Sequence, residues 1–144
     1  LFFGIIQQHL KKLEYAQNSA ARILSRVRKF DHITPTLNIA LHWLPVKQRI
    51  KYKIILLTWM AMHGYAPVYI SDLTIYNGYP QSNLRSAGKY LLESPPTRSL
   101  LGDQSFTACA SRLRNGLPQI LRSCHQLSTF RTQLKTYVIQ IAYN

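Results

Sequence analysis

At 144 residues the chain is one domain's worth, long enough to bury roughly two-thirds of its extended surface without metals or disulfides. Its 47% hydrophobic and 16% charged residues exclude a disordered chain, which would lack the apolar surface to offset its ordering entropy. Eighteen Lys and Arg against five Asp and Glu give a net charge of +13, with ten basic and two acidic residues up to His63 and eight and three beyond it, so the excess must meet solvent or an external polyanion.

Residues 5–29, "IIQQHLKKLEYAQNSAARILSRVRK", carry Ile6, Leu10, Leu13, Ala20, Leu24 and Val27 at the three- and four-residue spacing of one helix face. At about 100° per residue, Lys11, Arg22 and Lys29 fall nearly opposite that stripe and Arg26 at its shoulder. A long amphipathic helix with a basic back is expected, its few acids leaving those cations unpaired.

Thr34 before Pro35 reads as a helix start, Thr capping the orphan amides and Pro tolerating the first helical position. Asp31 is suited to close a turn onto the amides ahead of it. A short helix from 35 to about 42 should end in a corner where His42 and Trp43 pack before Pro45 restarts the chain. "PVKQRIKYKIILLTWMAMHG" then predicts a second long helix with Val46, Ile50, Ile54, Leu57 and Ala61 inward and Gly64 as its left-handed cap. Lys47, Arg49, Lys51 and Lys53 crowd its first two turns against the helix dipole, a placement that local stability does not explain and a partner's negative charge would.

"APVYISDL" offers one helical turn starting at Pro67. Residues 74–104 hold three of the six glycines and three of the seven prolines, the texture of loops with at most a short strand near "KYLLE". There Tyr76, Tyr79 and Tyr90 lie near Arg85, Lys89 and Arg98, a mixture that can stack on unpaired bases, although such aromatics more often belong to a core. "SFTACASRLRNG" predicts a helix ended by Asn115-Gly116, "LPQIL" a further turn, and "STFRTQLKTYVIQIAY" a last helix capped by Ser128 with Phe130, Leu134, Val138 and Ile141 inward. The whole reads as mainly α: a single helical domain, 1–144, of about five to six helices with a loop-rich insert at 74–104.

Asp31, His32 and His42 could form an acid–base set, yet no nucleophile in an elbow-like context and no glycine-rich loop accompanies them. Cys109, Cys124 and His125 lack a second ligand pair for zinc, and the five acids lie too far apart for two-metal phosphoryl transfer. No catalytic residue, metal or cofactor is assigned. The longest apolar run, "IILLTWMAM", is well short of the about 20 residues of a membrane span, so no membrane partner is expected. The absence of a signal peptide and the two cysteines fit an intracellular chain with reduced thiols. The first residue is Leu and the opening "LFFGII" is apolar enough to want a cover, so the chain is expected to be a piece of something longer.

The run "DHITPTLNIALHWLPVKQRIKYKIILLTWMAMHGYAPVYISDL", residues 31–73, resembles the carboxy-terminal region of reverse transcriptases from non-LTR, LINE-type retrotransposons of the Jockey-like group. "LEYAQNSAARIL" before it, "NLRSAG" in the middle, and "GDQSFTACASRLRNGLP" and "LSTFRTQLKTYV" after it are similar in the same order. Arg114 departs from the family's usual Trp in a Leu-Trp-Asn-x-Leu-Pro pattern. The resemblance implies a non-catalytic part of an RNA-directed DNA polymerase whose endonuclease and polymerase core lie upstream. Such a part would grip RNA or DNA, or brace that core, in a nuclear or cytoplasmic ribonucleoprotein. Lys47, Arg49, Lys51 and Lys53 are the first expected phosphate contacts, and Arg22, Arg26, Arg28, Lys29 and Arg85 the second.

Overall fold

The computed structural model describes residue 4 and residues 7–75, 91–92 and 94–143; Ile75 is described by its backbone alone. Among them the fold is mainly helical: α1 (Gln7–Ser25), a π-helical turn (Thr36–Ala40), α2 (Val46–Met62), α3 (Val68–Ile75), α4 (Leu100–Asp103), α5 (Phe106–Asn115), α6 (Gln119–Arg122) and α7 (Leu127–Tyr143). The π turn and α6 fall where short helical pieces were expected, whereas α4 adds a helical turn inside the 74–104 stretch read as loops.

α2 is the central element, packed against α3, α5 and α7 and, at its start, α1. Its buried residues Ile54, Ile55, Leu56, Thr58, Trp59 and Ala61 occupy most of the helix circumference, wider than the single stripe expected. A helix enclosed on several sides reads as apolar nearly all round, which hides its facing from periodicity. Val46, Ile50 and Leu57 are accordingly only half-buried. Around α2 the main core gathers Leu44, Leu117, Leu121, Phe130, Leu134 and Val138, while Ile54 meets Cys109 and Ala110 of α5 in a second cluster. Ile141, expected inward on α7, is exposed near the helix end.

The end of α2 is a Schellman motif. The Gly64 amide donates to Ala61 O at 3.4 Å and the Tyr65 amide to Met60 O at 2.8 Å, with Gly64 in the left-handed region at φ +73°. A Cβ on Gly64 would meet nothing within 4 Å, so substitution there tests backbone conformation alone. Gly64→Ala is expected to lower unfolding free energy by about 1–2 kcal/mol in urea denaturation, with no change in helical circular dichroism.

α1 departs from expectation in length and facing. It stops at Ser25 rather than Lys29, because Arg26 takes a left-handed conformation at φ +51° and the chain folds back. The Arg22 guanidinium holds that reversal, donating to Arg28 O at 2.5 Å and Asp31 O at 2.9 Å. The buried line is Leu10 and Ala21, with Gln17 between them donating Nε2 to Leu44 O at 2.8 Å. Ala21 lets Ile33 and Leu37 close on the helix in a small third cluster. The flank beside that line, Leu13, Ala16, Ala20, Ile23 and Leu24, faces outward, Ile23 78% and Leu24 64% exposed.

The corner at 31–45 turns the chain by other means than those expected. Pro35 at the start of the π turn receives no side-chain cap, so Thr34 does not act as one, and Asp31 contributes main-chain groups only. Leu41 N donates to Thr36 O at 3.0 Å, the five-residue step of a π turn. His42 makes the bend with a left-handed backbone at φ +48° and leaves its ring exposed instead of packing it. Trp43 packs half-buried against the small cluster, its carbonyl accepting from Tyr143 Oη at 2.7 Å, and Pro45 occupies the N-cap of α2.

Leu92 lies in no strand. The Asn115 side chain takes its amide at 2.8 Å and donates to its carbonyl at 2.7 Å, supplying the pairing a strand neighbour would give. α7 begins at Leu127, one residue ahead of the Ser128 cap expected, with Phe130 N donating to Gln126 O at 2.9 Å.

Candidate nucleic-acid interface

The four cations at the head of α2 do not share a face. Residues two apart on a helix differ by about 200°, so Lys47 and Lys51 lie on one side and Arg49 and Lys53 on the other. Lys47, Arg49 and Lys53 are exposed. Lys51 is half-buried and lines a cavity of about 170 Å³ between α2, α5 and α7 with Arg112 and Tyr137. No acid stands in the first turn of α2, so the dipole's positive end adds to Lys47 and Arg49.

The second group is dispersed by the early end of α1. Arg22 is spent on the carbonyls that close the reversal, while Arg26, Arg28 and Lys29 project from the reversal itself, off the helix. Lys29 Nζ sits 5.7 Å from the Phe30 ring centroid. Arg85 lies outside the described residues, as do Tyr76, Tyr79, Lys89 and Tyr90.

Few acids balance these charges. Asp103 pairs with Arg112 at 2.6 Å, while Glu14, Asp31 and Asp72 make no ion pair among the described residues. The Thr97 hydroxyl, and then Arg112, hold the Asp103 carboxyl below its ordinary range. Arg114 fills an interior slot, only 4% exposed, and donates to Arg122 O at 3.2 Å. Burial and then the nearby Arg122 charge bring its pKa down to about 10.

Asp31, His32 and His42 are exposed, and among the described residues no hydrogen bond joins the carboxylate to either ring. Cys109 is buried, its thiol pushed up by desolvation, and among the described residues no three His, Cys, Asp or Glu gather closely enough to hold a metal ion. No described helix is long and apolar enough to cross a membrane.

Two cations that spacing alone could have singled out stand exposed on α7. Arg131 and Lys135, four residues apart on one face, lie beside concavities that each hold a tyrosine and a histidine.

No protein family, curated protein or solved structure matches the chain.

Proposed function

We propose that the chain is a non-catalytic carboxy-terminal segment of a LINE-type retrotransposon reverse transcriptase. It binds RNA or DNA phosphates through basic helix surfaces while the polymerase core of the parent protein copies element RNA at a nicked target. What supports this most directly is the exposed, acid-free head of α2 with Lys47, Arg49 and Lys53, in a chain carrying +13. Phosphate contacts of this kind give affinity without base readout.

A filter-binding salt titration tests it. With about six phosphate contacts on duplex DNA, log affinity is expected to fall against log salt with a slope near −5. Changing Lys47, Arg49, Lys51 and Lys53 together to Gln should flatten that slope; a slope unmoved by the change would sink the assignment.

A structural brace on the polymerase core is the second reading, favoured by the outward apolar flank of α1 at Leu13, Ile23 and Leu24. An exposed apolar strip of that kind seeks a cover.

A further inference from the structure

Two open concavities flank the outer face of α7 and share Arg131. The first, of about 400 Å³, is walled by His42, Tyr52, Lys135 and Thr136. The second, of about 570 Å³, is walled by Tyr65, His125 and Ser128. Together they follow α7 from Gln126 to Ile139, about 20 Å at 1.5 Å per residue. No Asp or Glu lines either concavity among the described residues.

We infer that this groove is a single-stranded nucleic-acid track, with Arg131 and Lys135 on the phosphates and Tyr65 as the platform on which an unpaired base stacks. Arg131 and Lys135 stand one helical turn apart, about 6 Å along the axis, and neither makes an ion pair among the described residues. The two threonine hydroxyls contribute little, because Thr132 and Thr136 donate back to the carbonyls of Ser128 and Thr132, each at 3.1 Å. The work therefore falls to cations and rings, the combination that holds unpaired strands without sequence preference.

Tyr65 is suited to the platform by what lies behind it. The residue is 61% exposed, yet its ring runs parallel to the buried Trp59 ring, 5.9 Å between centroids and 10° between planes. Trp59 is itself fixed by His63 at 3.9 Å and Phe130 at 5.2 Å. A ring held this way meets a base with little further loss of freedom. His125, edge-on to His63 at 5.9 Å, adds a second ring beside it, and Tyr52 and His42 repeat the theme at the far end. At the ~3.4 Å rise of a stacked strand the groove has room for about six nucleotides.

The inference rests on the nucleic-acid reading above but names different residues and a different ligand form, so the two can fail separately. Fluorescence anisotropy would compare a mixed-sequence single strand, an abasic strand of equal length and a duplex, all at one salt concentration. Tyr65→Leu, which keeps an apolar cover over Trp59, should weaken the single strand about tenfold and leave abasic strand and duplex unchanged. Tyr65→Phe should restore binding. Arg131→Gln with Lys135→Gln should weaken single and abasic strands alike. If Tyr65→Leu leaves the single strand untouched, or weakens the abasic strand equally, the track is overturned while duplex binding through α2 still stands. If the wild-type protein binds none of the three, both fall.

Discussion

Trp59→Ala is expected to remove about 3–5 kcal/mol of stability, the range for emptying an aromatic from a packed interior. Trp59 is 1% exposed and joins α2 to the start of α7 and the segment ahead of it: its ring stacks on Phe130 of α7, and Nε1 donates to Cys124 O at 2.8 Å. Truncation leaves a cavity between these elements and strands a carbonyl for which Trp59 is the one donor among the described residues. Domains of this size are stable by about 5–15 kcal/mol, so the variant should unfold at markedly lower urea or not fold at all. Trp59→Phe separates the two contributions. It retains most of the packing, and its loss should be nearer the about 1–3 kcal/mol of an unpaired buried polar group. Equal urea midpoints for Trp59→Ala and wild type would refute the role assigned to this ring.

That ring also shows where spacing stops being informative. The bounds of α5 and the glycine stop of α2 are readable from local chemistry: Ser105 caps α5 by accepting from Ala108 N at 3.4 Å, and only Gly sits easily at the Gly64 dihedrals. Trp59 carries no such mark, because α2 is covered on several sides and its apolar residues leave no polar back from which to infer a face. α1 fails in the opposite sense. Its apolar stripe is genuine, but long-range packing selects the neighbouring line of Leu10, Gln17 and Ala21, where a small side chain and an amide fit the 33–44 corner. The early stop at Ser25 depends on a bond from Arg22 to residues six and nine positions on, which no helix rule anticipates.

The candidate site divides along the same line. Lys47 and Arg49 are visible as cations at the head of a helix, because charge and a proline start are local facts. The groove beside α7 is assembled from residues as distant in sequence as His42 and Lys135, or Tyr65 and Arg131. Only the i, i+4 spacing of Arg131 and Lys135 was local.

The two sides of α2 should contribute unequally to binding. A helix is about 10 Å across and a duplex can lie against only one side of it, so Lys47 with Lys51 and Arg49 with Lys53 cannot all reach the same backbone. Lys51 is half-buried beside Arg112 and Tyr137, where a duplex would have to enter the gap between α5 and α7. Arg49 and Lys53 are both exposed, four residues apart on the free side of the helix. Changing Arg49 and Lys53 together to Gln is expected to lower the salt slope on duplex DNA by about 1.8, two contacts at roughly 0.9 each. The Lys47 and Lys51 pair should lower it by less than about 0.9, the share of Lys47 alone. Filter binding between low and moderate salt measures both pairs on the same duplex. Equal losses from the two pairs would mean that the nucleic acid wraps the helix head rather than lying along one side, and the assignment of Arg49 and Lys53 as the contact face would have to be given up.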